Sequence, residues 1–351
     1  MYKFSLIITL ITVITFFNAC IENPKEKEVE EAAIKIPEET EIEANRVKLQ
    51  YFNLAKAIFE NPSAEQLEQN RKEWKKALGS FYFRYTNNII AIGADYQPGF
   101  FNNFSLFAND GDMKKIYNDV SEKFGNFNPY LDQLNDAFSK YKVYFPDRNI
   151  PKIVTYTGAF SYTVAATDSV LGIGLDMYLG ENYPYYAMKG IPKYKSKIMK
   201  PEFLVANTMK GWISSEFWQD LASANLLETI IHEGKLLYIA KMALPETPDS
   251  VLLGYSSHNM QWARLNEGNL WKYFVDNKLL YDNRTKVIME FTGEGPFTTG
   301  LSNNSAPKAG IFTGFQIVKA WMKNQKNFDP KKLIETDAKT ILAESRYKPV
   351  K

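Results

Sequence analysis

Leu226-Leu-Glu-Thr-Ile-Ile-His232-Glu233-Gly-Lys-Leu236-Leu-Tyr238 is the stretch on which the reading of this chain turns. Leu226, Leu227, Ile230, Ile231, Leu237 and Tyr238 recur at helical spacing and predict a core helix over about 221–243. One of the two histidines of the chain opens a His-Glu pair inside it. In a His-Glu-x-x-His helix, two imidazoles four residues apart reach one zinc ion, and the glutamate is the general base for the bound water. Here the position four after His232 is Leu236, which has no lone pair, and Lys235 beside it is a cation.

The candidate donors are therefore His232 and Glu267, with Glu233 as candidate base. Glu267 stands 35 residues after His232, a separation suited to a ligand on the next helix. His258 lies nine residues before Glu267, roughly 13.5 Å along one continuous helix, too far to share a metal with it. Catalytic zinc normally has three protein ligands and a water. One His and one Glu underpopulate such a site, so no cofactor is expected. The bland reading, a structural or vestigial pair, is preferred over an active zinc peptidase.

Outward from this helix, the pattern is helices, a short sheet, then helices. Helical spacing runs from Val47 to Phe59, then over 65–78, 113–124 and 128–142, with an aromatic-rich irregular stretch at 80–112. β-Branched and aromatic runs at 152–157, 162–166 and 170–178 predict three consecutive strands, turned at Thr167-Asp168-Ser169 and read as an antiparallel meander. Helices are expected again over 201–218, 221–243, 258–277, 308–323 and 330–343. The fold class is α+β, mostly helical, with a small antiparallel sheet. The globular body spans 46–351, in a helical part 46–145 and a second part 146–351.

The N-terminus carries an address. Lys3 precedes an apolar run from Phe4 to Phe17, too short to span a bilayer comfortably but suited to a signal peptide over 1–19. Ala19-Cys20 resembles a lipoprotein box, which implies lipid on Cys20 after cleavage before it. Cys20 is the only cysteine, so an exported chain has no internal disulfide to form. Residues 20–45 follow as an acidic tether: 21–45 hold nine Glu against three Lys. The membrane, reached through Cys20, is the first partner expected.

The 351 residues, 45% hydrophobic and 23% charged, exclude a wholly disordered chain. A formal net charge of +2 gives no field for nucleic acid. Gly172-x-Gly174 lacks the Lys-Ser/Thr of a phosphate loop, and Asp95, Asp110 and Asp112 lack calcium-loop spacing. Two histidines support no Ser-His-Asp arrangement.

Several blocks stand out: Gly174-Leu-Asp-Met-Tyr-Leu-Gly180, Tyr194 with Lys200-Pro-Glu202, and His232-Glu-Gly-Lys-Leu-Leu-Tyr238. Trp262, Asn266, Glu267 and Trp271 form another, as do Gly310-Ile-Phe-Thr-Gly314-Phe-Gln316 and the tail Ser345-Arg-Tyr-Lys-Pro349. Together they resemble the gliding-motility-associated lipoprotein GldB family of Bacteroidetes-type bacteria. The family is similar to predicted zinc peptidases, which implies a zincin-like body that here lacks its second histidine. The resemblance implies a lipid-anchored envelope protein, facing the periplasm or cell surface with the outer membrane favoured. Its partners would be other envelope motility or secretion proteins, linked to type IX secretion. A non-catalytic assembly or interaction factor is the preferred role. Alternatives are an active zinc metallopeptidase, or a surface glycan- or protein-binding lipoprotein, for which the many aromatic residues would serve.

Overall fold

Residues 36–60, 62–326 and 329–349 are described by a computed structural model. Cys20, the leader and the first part of the tether lie outside them. The described part of the tether includes a helix, Glu39–Ala44, fixed by reciprocal capping of Glu38 and Glu41 and by burial of Ile42.

Helices dominate, as the sequence predicts, around one four-stranded sheet. Its strands are β1 (Tyr51–Asn53), β2 (Lys152–Tyr156), β3 (Val164–Ala166) and β4 (Val170–Gly174), in the order β1-β2-β4-β3. β1 and β4 both run parallel to β2, and only β3 and β4 are antiparallel. The sheet is therefore mixed rather than the antiparallel meander expected. The Thr167–Ser169 turn does join β3 to β4, with Thr167 N–H donating to Val170 O at 2.8 Å. Between β2 and β3, however, the chain makes a wide turn. Ala159 and Phe160 both adopt left-handed backbone angles, φ 52° and 64°, and the Asp176 carboxylate accepts from Gly158 N (3.1 Å) and Phe160 N (2.8 Å). That turn carries β3 past β4 to the sheet edge.

Alternate residues of the central strands face different cores, the period of a strand. Ile153, Leu171 and Ile173 join a large cluster with helices Asn128–Tyr144, Leu204–Glu216, Leu226–Ala243 and Ala309–Lys323. Val154, Tyr156 and Val170 join a second cluster with Leu54, Phe81, Tyr85, Phe100 and Phe104 from the preceding helices. With both faces covered, β4 is buried along its whole length, which is why it reads as a continuous apolar run. Gly172 is required there: a Cβ would lie 2.3 Å from the Phe81 ring. The Gly172-x-Gly174 pair is thus a packing feature.

Several element boundaries differ from expectation. The extended strand β1 occupies part of the predicted 47–59 helix, leaving helix Leu54–Phe59. The stretch 80–112 is largely helical, including Phe100–Asn109. The predicted 258–277 helix is two helices, Ser257–Leu265 and Glu267–Asp276, broken at Asn266.

Candidate functional site

Leu226–Ala243 is buried nearly all round, so each polar side chain on it needs a local reason. Asn225 starts it with a capping box shared with Glu228. Its most extensive partner is helix Ala309–Lys323. The two backbones approach closely where Gly234 meets Gly314. A Cβ on Gly234 would stand 2.6 Å from Gly314 O, and one on Gly314 would stand 1.9 Å from Ile230 O. The glycines of the His-Glu-Gly-Lys and Gly310-x-x-x-Gly314 blocks are therefore halves of one crossing.

The polar residues of the block fan out to different partners. His232 is half-buried, and burial, aided by the Lys235 cation, holds its imidazole below the usual pKa. Burial raises the Glu233 carboxyl, against the opposing pull of Lys308 and Lys210. Those lysines are themselves engaged: Lys210 donates to Leu252 O at 2.7 Å and Lys308 to Glu294 at 2.9 Å. Burial, then the neighbouring Lys308 charge, lowers the Lys210 pKa to about 7. Lys235 turns to the C-terminus of helix Pro330–Glu335, donating to Ile334 O (3.0 Å) and Thr336 O (2.6 Å). It caps the last carbonyls of that helix. Leu236 is core.

Glu267 opens helix Glu267–Asp276 and accepts a 2.7 Å hydrogen bond from Tyr347 Oη. Burial raises its pKa, while Tyr347, Lys319 and Arg264 work against that rise. Tyr347 also packs edge-on against Trp271, ring centroids 5.3 Å apart. Beside this lies a buried ionic group: Asp249 takes Lys319 at 2.7 Å and Lys241 at 3.6 Å. His258 is exposed on the separate helix Ser257–Leu265.

The three candidate residues have different charged neighbours. Glu233 faces Lys210 and Lys308, Glu267 faces Tyr347, Lys319 and Arg264, and His232 has Lys235 as its charged neighbour. Among the described residues, no group of three or more His, Cys, Asp or Glu side chains could hold a metal. Asp95, Asp110 and Asp112, the last of them inside helix Gly111–Phe124, have structural tasks. Asp95 pairs with Lys75 at 2.8 Å, Asp110 caps helix Gly111–Phe124, and Asp112 accepts from Tyr185.

Sequence reasoning missed Asp176, in the Gly-Leu-Asp-Met-Tyr block. It is fully buried, and one of its oxygens clamps the left-handed 158–160 turn. Burial raises its pKa to about 6 despite those two N–H donors. The available signal was an acid inside an apolar run, which needs buried donors. In the sequence Tyr347 stands only within a tail block, with no sign that it reaches Glu267.

A family model described as gliding motility protein GldB matches residues 35–349. No curated protein and no solved structure matches the chain. No helix among the described residues is long and apolar enough to cross a membrane.

Proposed function

Since this chain belongs to the gliding motility protein GldB family, we propose that it is a lipid-anchored, non-catalytic assembly or interaction factor of the gliding machinery. Its anchor is lipid on Cys20, and its place is the cell envelope, at the outer membrane. Its partners are other envelope motility or secretion proteins, including those of type IX secretion. The body is a degenerate peptidase-like scaffold.

The observation that carries this reading is the engagement of Glu267. The carboxylate best spaced to complete a zinc site is held by Tyr347 Oη at 2.7 Å and serves to fix the C-terminal tail. Leu236 fills the place of the second imidazole and is core. Catalysis by metal-bound water needs three converging donors and an open position. His232, Glu233 and Glu267 each answer to a different set of neighbours.

The test is complementation of a non-gliding deletion strain. Glu233→Gln and His232→Ala are expected to restore gliding, whereas Cys20→Ser is expected to release the protein from the membrane fraction and abolish gliding. Loss of gliding by a folded, membrane-bound Glu233→Gln protein would sink the non-catalytic role. Retention of Cys20→Ser in the membrane fraction would sink the anchor. Stoichiometric zinc by elemental analysis, lost in Glu267→Ala, would restore the peptidase alternative.

A further inference from the structure

Residues 182–201 hold five lysines, Lys189, Lys193, Lys195, Lys197 and Lys200, and no acidic residue. The segment forms two short helices, Pro184–Met188 and Lys193–Ser196, turned at Gly190 with φ 71°. It is firmly mounted. Tyr186 is buried, donates to Asp176 O at 2.7 Å and accepts from Leu179 N at 2.9 Å. Tyr183 and Tyr185 donate to Asp119 and Asp112 of helix Gly111–Phe124 at 2.7 and 2.8 Å. Both rings pack with Phe160, the residue presented by the turn that Asp176 clamps.

This mounted segment exposes one large apolar side chain and several lysines. Met188 is 74% exposed and is followed directly by Lys189. Lys193 and Lys197 are four residues apart, one helical turn, with Lys197 N bonded to Lys193 O. Lys189, Lys193 and Lys197 are exposed, and no carboxylate among the described residues pairs with them. Lys200 is paired with Glu181 at 3.4 Å, and Lys195 lies near Glu294. The Asp112 and Asp119 carboxylates are taken by tyrosines, and Asp119 also by Lys115.

We infer that the 183–200 segment docks the body on an anionic membrane surface, with Lys189, Lys193 and Lys197 at lipid phosphates and Met188 inserted between headgroups. Three free lysines and one exposed methionine in a single short segment match both layers of that surface: charge outside, hydrocarbon beneath. An acidic protein face would match the charge alone. Cys20 precedes the first described residue by 16 positions, at most about 55 Å of extended chain. A membrane holding that cysteine would lie within that distance of Ile36. The inference rests on the lipoprotein reading for that proximity only; binding to vesicles does not depend on it.

The test uses the unit Ile34–Lys351, which contains both hydrophobic clusters and carries neither leader nor anchor. Its sedimentation is measured with vesicles of phosphatidylglycerol and phosphatidylcholine, and with phosphatidylcholine alone. Binding is expected to the first only, and to weaken with salt. Each basic residue at such a surface is worth about a factor of five, so Lys189→Glu/Lys193→Glu/Lys197→Glu should weaken binding by about a hundredfold or more. Met188→Ser should weaken it severalfold at unchanged charge. Lys72→Glu/Lys76→Glu/Lys278→Glu, three exposed lysines elsewhere, should change it little. Circular dichroism confirms that each variant is folded. No vesicle binding, or equal loss in both triple variants, overturns the inference. A null effect of Met188→Ser overturns the insertion and with it the inference as stated. None of these outcomes bears on Cys20, which is tested separately by membrane release.

Discussion

Tyr347 Oη donates to Glu267 across a separation of 80 residues, at 2.7 Å, and so ties the C-terminal tail to the start of helix Glu267–Asp276. The residue that sequence spacing offers as a metal ligand is thus a tail anchor. A hydrogen bond to a charged group contributes about 1.5–3 kcal/mol. Tyr347→Phe and Glu267→Met should each destabilise the fold by about that amount in urea titrations. The double variant should lose much less than the sum. Additive losses would mean that the two side chains act independently.

The crossing of Leu226–Ala243 over Ala309–Lys323 has no room for a methyl group. Gly314→Ala would place Cβ 1.9 Å from the Ile230 carbonyl, and backbone cannot swing aside as a side chain can. The loss should be about 3 kcal/mol or more, with Gly234→Ala also costly. Gly111→Ala, at a helix start with nothing within 4 Å of the new Cβ, should be neutral or stabilise slightly. Thermal melting of the three variants checks the order. Equal melting temperatures for Gly314→Ala and Gly111→Ala would refute the close crossing.

Asp176 should make stability depend on pH. Burial raises its pKa from 3.8 to about 6, so between those values the folded chain binds more protons than the unfolded chain. Stability from this group is therefore full below about pH 4 and is lost as pH rises through about 6, by about 3 kcal/mol. Asp176→Asn keeps an acceptor for Gly158 N and Phe160 N and removes the charge. The difference in unfolding free energy between wild type and Asp176→Asn should shift by about that amount from pH 4 to pH 7. A constant difference would show that Asp176 does not titrate in this range.

Lys235 should behave as a helix cap. Lys235→Met keeps the buried stem and removes both bonds to Ile334 O and Thr336 O. A cost of about 2–3 kcal/mol is expected, with faster amide exchange in helix Pro330–Glu335. Burial lowers the Lys235 pKa to about 8, so the wild-type advantage over Lys235→Met should grow as pH rises from about 8 towards 10.5. Unchanged exchange in that helix would remove the capping role.

Much of this fold is legible along the chain. The core helix at Leu226–Ala243 declares itself by apolar residues on every side, and β2 by its Ile-Val-Thr-Tyr run. The hairpin turn at Thr167–Ser169 is read from its residue types. The break at Asn266 is marked only weakly, by Asn266, Gly268 and Asn269, because apolar residues on both sides of it keep helical spacing. The role of Gly234 and Gly314 is not legible along the chain, because it depends on another helix lying against each.

What the sequence determined alone was local: element types, where the core helix lies, and that Leu236 cannot ligate a metal. These follow from the period of apolar residues and the chemistry of single side chains. The tertiary structure decided everything that needed two distant segments at once. It set β4 between β2 and β3, turned Lys235 to the Pro330–Glu335 helix, and gave Glu267 to Tyr347. Spacing along a chain fixes which residues can share one helical face. Which carboxylate meets which partner depends on how helices cross, and that is settled by packing over the whole core.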